Sequence, residues 1–129
     1  MGIKATEQQV HNSICEYIRK KYPDVIFTSE SSGLKLPIGL AKQIKNQRSS
    51  KGLPDLFILK PNRTHYGLIL EVKASTLHLF NKNGYIRSTS HIKEQMEILK
   101  RLNDLGYFSC FVCGIDEAIW CIDGYMADL

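Results

Sequence analysis

The first apolar residues of the chain recur with the spacing of an amphipathic helix over about residues 6–21. Thr6 followed by Gln9 forms a capping-box pattern, which indicates that the helix begins there. Residues three and four positions apart lie on one face of a helix, and an apolar face predicts packing against a core. The residues that form this face are Val10, Ile14, Tyr17 and Ile18.

Glu7 precedes Val10 by one turn and therefore falls on the apolar face of this helix. An acid in the first turn is stabilised by the helix dipole, which is a purely structural explanation for it. A carboxylate at the inward edge of a helix can equally take part in a functional site. The sequence leaves both explanations open.

The rest of the chain alternates between strand and helix patterns, separated by glycine, proline and polar turns. Short apolar runs predict strands and wider apolar stripes predict helices. The longest later helix has a predicted stripe of Ile92, Met96, Leu99 and Leu102, with a stop at Gly106. The predicted elements are a strand at 25–28, a short helix opened by Pro37 and ending near Lys45, a loop at 48–54, strands at 55–59 and 66–74, a helix from His91 to about Leu105, a buried strand at 107–114 and a last helix capped by Asp116.

The predicted order is therefore helix, strand, helix, hairpin, helix, strand, helix. The two strands at 55–59 and 66–74 are joined by the turn PNRTH, a connection short enough for an antiparallel hairpin. Strands mixed with helices in this order favour a mixed sheet with helices packed on it. We predict an α/β sandwich that forms one domain over residues 1–129.

The composition is that of a globular protein, with 43% hydrophobic and 23% charged residues. No apolar run approaches the roughly 18 residues that span a membrane, and the polar first residues show no evident signal peptide. We therefore expect a cytoplasmic protein with no membrane partner. The net charge of +4 is compatible with nucleic acid binding but does not establish it.

The four cysteines, at positions 15, 110, 113 and 121, are expected to be reduced. Cys110 and Cys113 form a CxxC pattern, which in other contexts indicates zinc. Here the pattern lies in an apolar run that predicts a strand, and positions three apart on a strand face opposite sides of the sheet. The sequence therefore favours packing of these thiols in the core over a shared metal.

The strand at 66–74 carries the first candidate chemistry. Alternation places Leu68, Leu70 and Val72 on one face, and Ile69, Glu71 and Lys73 on the other. Burying a carboxylate and an ammonium costs several kcal/mol each unless they are paired or bind an ion. A structural Glu–Lys pair is one explanation for these two residues, and a functional site is the other.

Asp55 begins the neighbouring strand of the predicted hairpin. Counting outward from the turn places it near Glu71 and Lys73, so two carboxylates and one ammonium should converge at one edge of the sheet. Hard oxygen ligands of this kind suit Mg²⁺ or Mn²⁺ and not zinc. A divalent ion there can polarise a phosphate and lower the pKa of a bound water, which is the chemistry of phosphodiester hydrolysis. Lys73 can orient that water or offset the developing negative charge.

Gln95 lies within the predicted apolar stripe of its helix, between Ile92 and Leu99. An amide in that position can hold a water or a phosphate, although an ordinary helix-edge glutamine is the alternative. Glu7 can complete the shell of the metal directly or through water. Basic side chains are the best candidates for phosphate contacts, with a solvated surface as the alternative. They are Lys42, Lys45, Arg48, Lys51, Lys82 and Arg87.

The segments LPDLFIL and LILEVKA resemble the PD-(D/E)xK nuclease superfamily, with Pro54-Asp55 followed by Glu71-Val72-Lys73. An N-terminal helix with an acid, a KGLPD loop and a helix with Gln95 before a strand are similar to the virus-type replication–repair nuclease group, VRR-NUC. The resemblance covers roughly residues 6–122. It implies a restriction-endonuclease-like α/β sandwich with a mixed central sheet flanked by helices.

The resemblance also implies a Mg²⁺- or Mn²⁺-dependent DNA endonuclease, and a bacterial or virus-infected cell as its setting. Carried over by position, Asp55, Glu71 and the Val72 carbonyl are metal ligands and Lys73 is catalytic. Glu7 is an auxiliary acid in the metal shell, with Glu30 as a rival, and Gln95 is a residue of a second catalytic motif. Ser50, Lys51 and Gly52 match the DNA-contacting loop that precedes the acid in resolvase-like members.

Members of this group that stand alone look like homodimers that cut branched DNA such as Holliday junctions. Two symmetric cuts require two active sites, which a two-fold dimer supplies. The expected interface is the 76–86 segment, with Leu77, Leu79, Phe80 and Tyr85, together with the last helix. Two alternatives remain: a nuclease of the same fold for linear or flap DNA, and a non-catalytic nucleic-acid-binding module.

Overall fold

The computed structural model describes residues 5–29 and 37–128. Within these ranges the helices and strands follow the predicted order, and a short 3-10 helix at Thr76–His78 follows the hairpin. The elements are α1 (Glu7–Lys21), β1 (Phe27–Ser29), α2 (Ile38–Asn46), β2 (Leu56–Ile58), β3 (Leu68–Lys73), α3 (Ser90–Asp104), β4 (Phe108–Cys113) and α4 (Ile115–Ala127).

The strands form one mixed sheet in the order β1-β2-β3-β4. β1 pairs with β2 and β2 with β3, both antiparallel, and Leu56 lies opposite Leu70 in the predicted hairpin. β4 runs parallel to β3, with Glu71 opposite Phe111. The helix α3 supplies the crossover that a parallel pair needs, because the two strands cannot be joined by a tight turn. The predicted α/β sandwich with a mixed sheet is confirmed.

Helices cover both faces of the central strand β3, and all six of its residues are buried. On one face α1 and α4 pack against the sheet, with Ile14, Leu70 and Ile122 fully buried. On the other face α3 lies against the sheet, and Ser109 Oγ donates to the Leu99 carbonyl at 2.7 Å. A strand buried on both faces explains why this part of the sequence is almost continuously apolar. It also means that Glu71 and Lys73 lie in the interior of the protein.

The start of α1 is capped as predicted. Gln9 N donates to Thr6 Oγ1 at 3.1 Å, and Thr6 N donates to Gln9 Oε1 at 2.9 Å. Tyr17, on the predicted apolar face, is only half-buried and donates its hydroxyl to the Asp123 carboxylate of α4 at 2.7 Å. The helix is therefore held to α4 by a polar contact at the edge of its apolar face.

Three details of the predicted elements are wrong. The buried face of α3 passes through Gln95 and Ile98, whereas Met96 is 41% exposed. The last helix begins after Gly114, whose φ of 85° favours glycine, so Asp116 lies in its first turn and is not its cap. The predicted buried strand at 107–114 is an edge strand in which only Ser109 and Val112 are buried, and within residues 5–29 and 37–128 no strand pairs with its outer edge.

The predicted core packing of the two CxxC thiols is confirmed for Cys110, which packs on the core shared with α4 with its Sγ 3.9 Å from Cys121 Sγ. It is wrong for Cys113, which lies outside that core. Among the described residues, no group of three His, Cys, Asp or Glu side chains is placed to hold a metal. All four cysteines are free thiols. In the ranges that the structure describes, no helix is long and apolar enough to cross a bilayer.

Candidate active site

A cleft of about 250 Å³ opens beside the end of β3. Its walls come from α1, the loop before β2, β3 itself and the first turns of α3. The residues that line it are Glu7, Arg48, Gly52, Leu53, Asp55, Glu71, Lys73, His91 and Gln95. The structure thus brings together the five side chains that the sequence proposed for catalysis, from four separate segments of the chain. Glu30, the rival of Glu7, lies outside the described residues.

Asp55 is anchored by β3. Its backbone N–H donates to the Leu70 carbonyl at 3.1 Å, which continues the hairpin ladder by one residue beyond β2. Its Oδ2 accepts a hydrogen bond from Val72 N at 2.8 Å, and the residue is 5% exposed. The N–H and C=O of a strand residue point to the same side of the strand. The Val72 carbonyl therefore faces the side on which the Asp55 carboxylate lies.

Gln95 joins the acid and the amine of β3. Its Oε1 accepts from Lys73 Nζ at 2.9 Å, and its Nε2 donates to Glu71 Oε1 at 2.7 Å. The opposite orientation of the amide would set an N–H₂ group against an ammonium and an oxygen against a carboxylate, so the charges fix the orientation. Gln95 is itself only 4% exposed. Its amide satisfies the hydrogen bonds of the two buried groups and thereby fixes their positions.

Glu71 is buried beside a second acid. Its pKa is raised to about 10, first by burial and then by the Asp55 carboxylate, which repels its charge and can accept a hydrogen bond from its protonated form. Lys73 opposes this shift, but its Nζ is 3.8 Å from Glu71 Oε1. Glu71 Oε2 is buried and has no hydrogen-bond donor. A buried carboxylate oxygen without a donor is rare in folded proteins and calls for a cation or a proton.

Glu7 adds a third acid to the cleft. Its pKa is raised first by burial and then by repulsion from Asp55, while Lys73 lowers it. The described residues nevertheless contain no group of three His, Cys, Asp or Glu side chains placed to hold a metal by themselves. The donor set that fits a hard cation is therefore the carboxylates of Asp55 and Glu71 with the Val72 carbonyl, and the shell would be completed by water. Glu7 lines the same cleft as Asp55 and Glu71.

The loop before Asp55 lies directly on α3. Gly52 has a φ of 76°, and a Cβ built on it would be 3.2 Å from the backbone C of Glu94. Both the backbone conformation and the close approach require glycine at this position. The KGLPD pattern therefore has a physical basis, since the glycine lets the loop deliver Asp55 to the end of β3.

We expect Gly52→Ala to lower the free energy of unfolding by about 2 kcal/mol, because it combines an unfavourable φ with a backbone clash. The matched control is Gly84→Ala, since Gly84 has a φ of 84° but no atom within 4 Å of a built Cβ. Urea denaturation of both variants measures the difference. Equal losses of stability would show that the close approach to α3 contributes nothing.

A basic groove adjoins the cleft on the side of this loop. Four of the residues predicted to contact DNA line it, and the full lining is Lys45, Arg48, Ser49, Ser50, Lys51, Gly52, His91 and Glu94. Lys42 does not line it, although it belongs to α2 like Lys45. Lys82 and Arg87 lie elsewhere, on the exposed segment after the 3-10 helix, where Arg87 Nε donates to the Leu77 carbonyl at 3.0 Å. The structure does not bring these two residues to the groove.

His91 lines both the cleft and the groove, although no functional role was predicted for it from the sequence. Its ring Nε2 is 3.2 Å from Gln95 Nε2. A histidine one turn before a buried glutamine was the available indication, because positions i and i+4 meet on one helix face.

The comparisons with known proteins agree with this architecture. A solved structure described as a "VRR_NUC domain protein" matches the chain with a TM-score of 0.67 at 22% sequence identity, and the match covers 99% of this chain and 92% of that chain. The chain has the VRR-NUC fold. No family model matches the sequence, and no curated protein matches it. The likeness to this protein is therefore one of fold, at low overall sequence identity.

Proposed function

We propose that the chain is a divalent-metal-dependent DNA nuclease whose active site is the cleft at the end of β3. The observation that carries the proposal is the buried Glu71 Oε2, which has no donor and lies beside a second buried carboxylate, Asp55. Two acids in this environment repel each other unless a cation binds between them or one of them takes up a proton. The VRR-NUC fold of the chain supports the proposal as an analogy of architecture.

The metal proposed here is Mg²⁺ or Mn²⁺, held by Asp55, Glu71 and the Val72 carbonyl. When bound, such an ion supplies positive charge that polarises the phosphate and lowers the pKa of a coordinated water. Asp55 is fixed for this task by the Val72 N–H, and Glu71 is fixed by the Gln95 amide. Side chains held in this way lose little entropy when substrate arrives, which favours the transition state.

Lys73 acts on the substrate side of the same cleft. Its ammonium has three N–H donors, of which Gln95 accepts one at 2.9 Å. A remaining donor can stabilise negative charge on the phosphate or orient the attacking water. Glu7 approaches from α1 and is suited to hold or accept a proton from a water in the cleft, because burial and Asp55 raise the pKa of its carboxyl.

The substrate we propose is branched DNA such as a four-way junction, cut by an endonucleolytic mechanism. The strand would be guided by the basic groove, through Lys45, Arg48, Ser50 and Lys51, with Lys42, Lys82 and Arg87 as more distant contacts. Phosphate contacts of this kind give affinity without base preference. The proposal therefore expects little dependence on the sequence at the cut.

The test is an end-labelled panel of four-way junction, fork, flap and linear duplex, incubated with Mg²⁺, Mn²⁺ or EDTA at one stated salt concentration. We expect cleavage with either metal and none in EDTA, with the junction cut fastest. Cleavage at an equal rate in EDTA, or no cleavage with any metal, would rule out the metal-dependent nuclease. Faster cleavage of linear or flap DNA would be consistent with a metal-dependent nuclease and would reject only the proposed branched substrate.

We also propose that the protein acts as a homodimer, because paired cuts need paired sites. Exposed apolar side chains suit this role on the 76–86 segment, where Leu77 is 57% and Tyr85 73% exposed, and on α4, where Trp120 is 80% exposed. Leu79, predicted to be exposed, is instead buried at 4% and belongs to the core of its own chain. Sedimentation equilibrium at micromolar concentration tests the dimer, and a single monomeric species would reject it.

A further inference from the structure

His91 stands at the junction between the cleft and the basic groove. Only three of the residues described at these two sites line both, namely Arg48, Gly52 and His91. These three residues form the boundary that the groove and the cleft share, and His91 is one of them. His91 itself is exposed on the surface of the first turn of α3.

The hydrogen bonds of Gln95 determine where the proton of His91 lies. Gln95 Oε1 is taken by the Lys73 ammonium, so the group that Gln95 turns toward His91 is its nitrogen, at 3.2 Å from His91 Nε2. An amide nitrogen can only donate, so His91 Nε2 is the acceptor and carries no proton. In this hydrogen bond the ring proton lies on Nδ1.

The Nδ1–H donor has no acceptor within residues 5–29 and 37–128. The ring is oriented by Gln95, and that amide is itself fixed by two charged groups of the active site. An oriented donor at the meeting point of a basic groove and a nuclease cleft suits an anionic oxygen. This places a preformed hydrogen-bond donor on the expected path of the strand.

We propose that His91 is a phosphate-binding residue, whose Nδ1–H donates to a non-bridging oxygen of the phosphodiester next to the one that is cut. The inference rests on the proposed nuclease function and names a contact for the strand that enters the cleft. His91 binds as a neutral donor, in contrast to the cationic Lys51 of the same groove. It also links substrate position to Gln95, because the ring that touches the phosphate accepts the amide hydrogen bond.

The difference between a neutral donor and a cation can be measured. Each cationic phosphate contact releases counterions and contributes about −0.9 to the slope of log K against log salt concentration, whereas a neutral donor contributes nothing. We expect His91→Ala to weaken binding of a junction in EDTA by about 5- to 10-fold, with the salt slope unchanged. Lys51→Ala should reduce the slope by about 0.9. His65→Ala is the matched control, because His65 lines a separate cavity with Phe108 and Trp120 and should bind like the wild type.

Methylphosphonate substitution identifies the phosphate. A neutral methylphosphonate scanned along the strand should weaken wild-type binding at one position next to the cut and should have no additional effect there in His91→Ala. An unchanged affinity of His91→Ala, a slope changed by about 0.9, or no such coupled position would each overturn the inference. If the wild type cleaves with metal while His91→Ala binds normally, only the histidine contact is rejected. A wild type that does not bind DNA would reject both proposals.

Discussion

Asp55→Asn should abolish metal-dependent cleavage, with a loss of at least about 1000-fold in rate. Asparagine has the shape of aspartate and can still accept the hydrogen bond from Val72 N, so the hairpin should keep its structure. It lacks the negative charge that a divalent cation needs in a site with few other ligands. The loss of cleavage would therefore reflect lost metal binding and not a loss of folded structure.

The matched control for this variant is Asp24→Asn, since Asp24 is exposed in the turn after α1 and does not line the cleft. Cleavage time courses with Mg²⁺ and Mn²⁺ give the rates, and circular dichroism melting curves report the folding of each variant. Normal folding with lost cleavage is expected for Asp55→Asn, and no change for Asp24→Asn. If Asp55→Asn kept more than a tenth of wild-type activity, the assignment of Asp55 as a metal ligand would be contradicted.

Glu71→Gln should make the metal-free protein more stable while removing its response to metal. Folding raises the pKa of Glu71 from 4.5 to about 10, so the folded state holds a proton that the unfolded state releases. The contribution of this group to stability is complete below pH 4.5 and is lost as pH rises toward the folded-state pKa. Glutamine does not titrate, so its burial costs the same at every pH. We expect the free energy of unfolding of Glu71→Gln to exceed that of the wild type by about 2 kcal/mol or more at pH 8.

Urea denaturation of both proteins in EDTA between pH 5 and pH 8 checks this expectation. The stability advantage of Glu71→Gln should grow with pH, and Mn²⁺ should raise the melting temperature of the wild type but not of the variant. Glu97→Gln, an exposed acid on α3, is the control and should follow the wild type in both respects. An advantage that does not change with pH, or a variant that Mn²⁺ stabilises as much as the wild type, would contradict the assigned role of Glu71.

The sequence predicted the central part of the site because local rules determine it. Strand alternation assigned Glu71 and Lys73 to one face of β3, and counting outward from the hairpin turn placed Asp55 beside them. Helical spacing placed Glu7 on the inward face of α1, and the structure brings it to the same cleft. These positions depend on residues close in sequence or on one tight turn, so strand alternation, helical spacing and hairpin register predict them.

The parts that the sequence did not predict depend on packing between distant segments. Apolar spacing favoured Met96 for the buried face of α3, but Gln95 and Ile98 are buried there and Met96 is 41% exposed. His91 lies one turn before Gln95 and contacts its amide, a contact that depends on how α3 packs on β3. Lys82 and Arg87 lie on a segment held by local hydrogen bonds, such as that from Arg87 N to the Leu79 carbonyl. The position of that segment relative to the groove could not be counted from the sequence.

The central claim is that Asp55 and Glu71 hold a divalent cation together with the Val72 carbonyl. A crystal soaked in Mn²⁺ and measured at the manganese absorption edge tests it directly. The claim predicts one anomalous peak within about 2.0–2.4 Å of an oxygen from each of the three residues. A saturating soak that leaves this position without a peak, or that places the ion on other side chains, would contradict it.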